Sequence, residues 1–232
     1  MWRPSVLGKK ERLIILSLTG SSAIEPGDRT GRALLVLAHP RADSLTAHSG
    51  RRTQEHLERH GYTVDVLDLH AEGFDPRMSA QDEPDWDDPG KRYSDEVHAH
   101  IARVDAADTL VVVFPVWWFD VPAILKGWID RVWNHGLTYG VDPSPLATKR
   151  ILWLGLAGGS RAAYAEQGLD EMMDRHLRVG ISKFCGLEDI AVRLVYDTVS
   201  DRPVAATREA VLAATDGIVA EFLDGAPSTA GA

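Results

Sequence analysis

Cysteine is almost missing from this 232-residue chain, and the single Cys185 excludes an intrachain disulfide and a cysteine-based zinc site. Basic charge is also short, with 25 Lys and Arg against 34 Asp and Glu and a net charge of −9. That balance argues against nucleic acid, whose phosphates call for a basic face. No apolar run approaches the ~18–20 residues of a membrane-spanning helix. The Gly-x-Gly-x-x-Gly fingerprint of Rossmann dinucleotide binding is absent, as are internal repeats. Among the histidines the one suggestive spacing is His56 with His60, four apart without a third ligand, so no metal is expected and a solvated helix face is. What remains is a cytoplasmic globular protein. Hydrophobic residues at 44% and charged residues at 25% suit one domain with a sizeable core.

Residues 1–32 stand apart from that domain. Lys9, Lys10 and Arg12 precede a patch, Leu13-Ile14-Ile15-Leu16, that is shorter than the ~7–15 apolar residues of a signal peptide. A loosely ordered extension is expected there, and a disordered tail at 224–232. Between them, residues 33–223 alternate strand and helix patterns. Strands are predicted at 33–38, 62–68, 109–114, 150–156 and 190–195, the second nearer an edge because it alternates polar and apolar residues. Helices are predicted from Ser44 to Arg59, Ser94 to Ala106, over a first turn at Pro122, near 170–183 and at 201–222. The acidic, Pro- and Gly-rich segment 70–92 reads as a long solvated loop, with Trp86 able to fold over a cleft. Cys185, beside Ile181, Phe184 and Leu187, reads as a packing residue. The pattern implies a three-layer, doubly wound parallel α/β domain of flavodoxin-like strand order 2-1-3-4-5.

Tryptophan is the residue in local excess. Four of the seven fall between positions 117 and 133, directly after the β-branched run 109–114. Trp128 fits a helical core stripe and Trp133 is expected in the core or at an interface, but adjacent Trp117 and Trp118 at a strand exit do not read as core. In this strand order three loops converge on one crevice: HPRADSLT at 39–46, PVWWF at 115–119 and LAGGS at 156–160. The first offers helix N-terminal amides and the Ser44 and Thr46 hydroxyls to a phosphate. The second offers aromatic faces and backbone amides to a planar heterocycle. Gly158 and Gly159 in the third allow close backbone approach to a ring edge. Together they suit a flat conjugated ligand, a flavin above all.

The strings LVLAHPRADSLT, VVVFPVWWFDVPAILKGWIDRV and LAGGSRAAY resemble the NAD(P)H:quinone reductase family of flavodoxin-like flavoenzymes, over about 33–194. GFDPRMSAQD and FCGLEDI are weaker family features. The resemblance implies FAD, with FMN as the alternative, and NAD(P)H as co-substrate. It places His39 by the phosphate or adenine end, and Ser44, Leu45 and Thr46 on the pyrophosphate. Pro115, Val116, Trp117, Trp118 and Phe119 would support the isoalloxazine. Leu156, Ala157, Gly158 and Gly159 would line its pyrimidine edge, where Tyr164 would donate to developing charge. Trp118, Tyr139 and Tyr164 would meet the substrate, Tyr139 by reaching across a homodimer interface. Two departures stand out: Asp170 occupies the position of a family histidine, and Thr46 that of an asparagine.

The implied reaction is ping-pong, two-electron reduction of a quinone or similar aromatic acceptor. Other readings the same resemblance allows are a flavin-binding regulatory partner of a potassium-efflux system, and a nitro-, azo- or biosynthetic reductase. The fold alone does not separate these, because function belongs to the site.

Overall fold

The computed structural model describes residues 31–88 and 90–225. The expected N-terminal extension and C-terminal tail lie outside that range, apart from Gly31, Arg32, Asp224 and Gly225. Five strands form a single parallel sheet: β1 (Arg32–Leu37), β2 (Thr63–Asp68), β3 (Thr109–Pro115), β4 (Arg150–Leu156) and β5 (Asp189–Val195). Their order is β2-β1-β3-β4-β5, as the sequence pattern predicted. The central strands are continuous apolar runs because both faces are covered. β3 is buried at every residue, whereas β2 at the edge is buried only at Leu67.

Helices cover both faces and create two cores. On one, α1 (Leu45–Arg59) and α6 (Val204–Asp224) bring Leu57, Val211, Val219 and Phe222 against Leu35, Val111, Val113 and Leu154. On the other, α2 (Asp95–Ala106) and α3 (Ala123–Val132) set Ile101, Val104, Leu125 and Trp128 against Val36, Val112 and Phe114. Trp128 lies in this core, as its spacing predicted, and so does Trp133. Ser44 and Ser94 start α1 and α2 as N-caps, each hydroxyl accepting the backbone amide three residues on. Pro122 caps α3 from just outside, its carbonyl accepting the Lys126 amide at 2.9 Å. None of the described helices is long and apolar enough to cross a membrane.

The structure refines four expectations. The helix predicted near 170–183 is present as α5 (Leu169–Arg175), but it continues from His176 to Lys183 as a π-helical segment, and a short α4 (Arg161–Glu166) that the pattern did not predict precedes it. Gly168 at φ 65° separates α4 from α5. The π-helical segment is secured by Ser182, which donates to the Leu177 carbonyl at 2.8 Å and accepts from Trp153 Nε1 at 2.9 Å. His56 and His60 are not a solvated face. His56 Nε2 lies 2.9 Å from Asp216 on α6, and His60 lies 3.5 Å from Asp224, so both tie α1 to α6.

The acidic loop is not simply solvated either. Asp82 is fully buried and takes Arg131 Nε and Nη2, the Ser94 amide and the hydroxyls of Ser79 and Ser94. Nor does Phe184 line the setting of Cys185: it is 63% exposed, while Cys185 is buried and accepts from the Thr138 hydroxyl at 3.8 Å.

Both edges of the sheet carry arginines on their outer backbone carbonyls. Arg103 donates to Val66 at 2.9 Å on β2, and on β5 Arg178 donates to Ile190 and Arg193 to Val192 at 3.1 Å. The 70–92 segment also packs closely on α3. A Cβ at Gly127 would stand 2.6 Å from the Pro76 Cα, a backbone atom that cannot simply rotate away. Gly127→Ala is therefore expected to destabilise the protein by about 1–3 kcal/mol through overpacking. An unchanged unfolding midpoint in urea would contradict that.

Candidate functional site

The loops leaving β1, β3 and β4 meet at the carboxyl edge of the sheet, and ring contacts show how closely. His39, just past β1, sets its ring edge-on to Trp117 with centroids 6.0 Å apart. Phe119 meets Tyr164 at 5.7 Å, and Tyr164 meets Tyr196, just past β5, at 5.4 Å. The Val116 amide donates to the Leu156 carbonyl at 2.8 Å, continuing the β3–β4 pairing past the strand end.

The centre of the site is a tight turn. The amide and carbonyl of Trp117 pair with those of Asp120, both at 3.1 Å, leaving Trp118 and Phe119 as a two-residue connection. Both central residues have positive φ, 53° and 60°, the signature of a type I′ turn that favours Asn and Gly. Aromatic residues there cost roughly 1–3 kcal/mol each. Trp118 gains almost nothing from burial in this chain at 94% exposure, and Trp117 and Phe119 keep 46% and 40% of their surface open. Strained backbone that holds large rings in the open points to a ligand that covers them.

Around the turn, each predicted residue has a defined place. His39 Nδ1 accepts the Arg41 amide at 3.0 Å. Partial burial and then the Arg41 charge lower its pKa, so the ring is neutral near pH 7 with its proton on Nε2, which is left as a donor. The Ser44 hydroxyl accepts the Ala47 amide at 3.1 Å as the α1 cap, which leaves its own hydrogen free to donate. Leu45 packs on the core, and Thr46 is buried. Pro115, Leu156 and Ala157 are buried under the turn, while Gly158 and Gly159 lead into the Ser160 cap of α4. Gly159 lies close over Tyr164, since a Cβ there would be 3.2 Å from the ring. Tyr164 is itself buried, and burial followed by Tyr196 pushes its pKa up, so the phenol stays protonated and able to donate.

Tyr139 is not part of this group. Its ring contacts are Phe184 at 5.1 Å, His135 at 5.7 Å and Trp86 at 5.8 Å. Trp86 therefore folds over Tyr139 and His135, and not over the strand exits. Asp170 Oδ1 accepts the Glu171 amide at 2.9 Å, and the residue lines a groove with Arg161, Tyr196 and Glu221 along β5. Among the described residues no group of three or more His, Cys, Asp or Glu is placed to hold a metal.

Sequence reading missed Tyr196, Asp120 and His176. Tyr196 leaves a strand at the same end of the sheet, so the strand-exit rule applied to β5 would have found it. His176 carries no local signal, because the π-helical segment that presents it was read as ordinary helix.

A parallel five-stranded sheet in this order, with aromatic loops at its carboxyl end, defines a flavodoxin-like protein. The family model described as flavodoxin-like fold matches residues 31–218, and the chain belongs to that family, on its NAD(P)H:quinone reductase branch. NAD(P)H dehydrogenase [quinone] 1 of Rattus norvegicus is 34% identical over 187 residues, covering 71% of this chain and 68% of that protein. An uncharacterized NAD(P)H oxidoreductase of Escherichia coli, YcaK, is 42% identical over 168 residues, with 72% and 85% covered. The solved NAD(P)H:quinone oxidoreductase from Methanothermobacter marburgensis superposes with a TM-score of 0.77 at 24% identity, over 85% of this chain and 98% of that one. At that identity the likeness speaks for the fold.

Proposed function

We propose that this protein is a flavin-dependent NAD(P)H oxidoreductase that reduces quinones by two electrons in a ping-pong cycle. The observation that carries this reading is the strained turn holding Trp118 and Phe119 open at the converging strand ends. The relatives named as NAD(P)H dehydrogenase [quinone] support it. A bound flavin would supply hydride uptake and release, and the protein supplies placement and electrostatics. The residues present fit such a group. Trp117, Trp118 and Phe119 offer faces for a planar ring, and Gly158 and Gly159 allow its edge to come close. At the other end of the crevice the His39 Nε2 proton and the Ser44 hydroxyl hydrogen are donors for phosphate oxygens.

FAD is the cofactor we propose, with His39, Ser44, Leu45 and Thr46 at its pyrophosphate. Arg41 and Arg51 stand beside the α1 N-terminus, Arg51 held 2.8 Å from the His48 ring, and add positive potential where a second phosphate would lie. Tyr164 would donate its phenolic hydrogen to charge developing on the cofactor ring. Tyr164→Phe is accordingly expected to slow reduction by NAD(P)H by the equivalent of about 1–3 kcal/mol, near or below the loss of one oxyanion-hole donor. An unchanged stopped-flow reduction rate would remove Tyr164 from the mechanism. We also propose a homodimer in which Tyr139 reaches the partner's site. The support is that Tyr139 packs under the exposed Phe184 and has no ring contact with its own turn.

The test is the visible spectrum of the purified protein, with heat release and chromatography of the cofactor. Absorbance near ~450 nm that bleaches anaerobically with NADH or NADPH is expected for a flavin oxidoreductase. Released FAD supports the assignment above, and FMN would correct it. A colourless protein that neither flavin reconstitutes would overturn the enzyme reading. Rates with quinones, azo dyes and nitroaromatics then fix the acceptor class.

A further inference from the structure

Asp120 closes the aromatic turn, and its side chain looks toward the π-helical segment. Its Oδ1 accepts the Val121 amide at 2.7 Å and lies 3.7 Å from His176 Nε2. That separation is too long for a hydrogen bond. His176 Nε2 is nevertheless buried, in a side chain that is 41% exposed as a whole, and has no hydrogen-bond partner among the described residues. A buried ring nitrogen without a partner calls for an explanation, and a group that arrives from outside the chain is one. The surroundings favour that one. His176 opens a π-helical segment, a rare geometry frequent at functional sites. Its one carboxylate within 4 Å belongs to the residue that ends the Trp118–Phe119 turn.

Quinone reduction requires a proton. A quinone that takes a hydride equivalent becomes a hydroquinone anion, and one more proton completes the hydroquinone. Tyr164 is held protonated by burial and serves as a hydrogen-bond donor. His39 is held neutral by burial and by Arg41. Imidazole is the side chain suited to hand over a proton near neutral pH.

We propose that His176, positioned by Asp120, delivers this proton to the acceptor, an inference that rests on the function proposed above. The acceptor gains a hydride equivalent at one carbonyl oxygen from the NAD(P)H-reduced flavin. The Nε2–H bond of the His176 imidazolium breaks as an O–H bond forms at the other oxygen, and the neutral ring regains its proton from water. The Asp120 carboxylate, at 3.7 Å within ion-pair range, draws the ring toward the turn.

The experiment uses flavin-loaded protein and 2-methyl-1,4-naphthoquinone. Stopped flow gives the reductive and oxidative rate constants of the wild type, His176→Gln and Asp120→Asn across pH. The wild-type oxidative rate is expected to fall as pH rises. His176→Gln should remove that limb and lower the ratio of oxidative to reductive rate constants at least ~10-fold at low pH. Asp120→Asn should keep the limb but lower the ratio less, since it leaves the imidazole in place. Independently, the ring resonances of His176 should shift when the quinone is added to oxidised protein, where no turnover occurs. A His176→Gln enzyme that keeps the pH limb, or His176 resonances that do not move, would overturn the proton donor alone. A chain that takes up no flavin would overturn the reading beneath it.

Discussion

Asp82→Ala is expected to cost about 3 kcal/mol of folding stability, the lower end for breaking a buried ion pair. Asp82 and Arg131 are 0% and 6% exposed, and their closest contact is 2.7 Å. Arg131 keeps Glu96 at 2.7 Å and the Asp75 carbonyl after the change, which is why the lower end applies. The Ser94 amide and the Ser79 and Ser94 hydroxyls lose their acceptor as well, so the 70–92 segment should become susceptible to proteolysis. Denaturant unfolding and limited digestion measure both effects, and an unchanged midpoint would refute the assignment. The pH dependence has a definite sign. Burial pushes the Asp82 carboxyl up, but the Ser94 amide, Arg131 and the two hydroxyls outweigh it and hold the group below the ordinary range. Its contribution is full above the unfolded carboxyl value of ~3.9 and is lost as pH falls through the lower folded value. Variant and wild type should converge in strong acid.

Trp118→Ala should leave folding nearly untouched and weaken binding of the quinone or nicotinamide about 5–150-fold, the equivalent of ~1–3 kcal/mol of stacking. At 94% exposure the ring contributes almost nothing to the chain's own packing. Flavin affinity is expected to change less than acceptor affinity. Titration of oxidised protein with each ligand separates the two, and a loss confined to flavin would contradict the placement of Trp118 on the substrate side.

The sheet order was legible because the central strands are unbroken apolar runs, a pattern that only double coverage explains. The N-caps Ser44 and Ser94 were legible for a similar reason, since their chemistry is local. The strained turn was visible as an anomaly of composition, two tryptophans where a core could not take both, but not as a type I′ geometry. That conformation is foreign to the intrinsic preferences of Trp and Phe, so no propensity rule points to it. Asp82 read as one carboxylate in an acidic run because its partner, Arg131, is 49 residues away. His56 and His60 failed likewise: Asp216 lies on the last helix, 160 residues beyond His56. The π-helical segment escaped because its side-chain spacing is close to that of an α-helix, and Ser182 secures it through Trp153 on β4. Long-range polar partners, more than apolar periodicity, were what the sequence concealed.

The arginines on the outer carbonyls of β2 and β5 have a consequence for assembly. Free backbone groups at a sheet edge are the template on which a second chain extends the ladder, in ordered dimers and in aggregates alike. Here Arg103, Arg178 and Arg193 already fill acceptors at Val66, Ile190 and Val192. Any pairing of two copies should therefore run through side chains of helices and loops, each copy keeping its own five-stranded sheet, and the same guard opposes fibril-like stacking when the protein is concentrated.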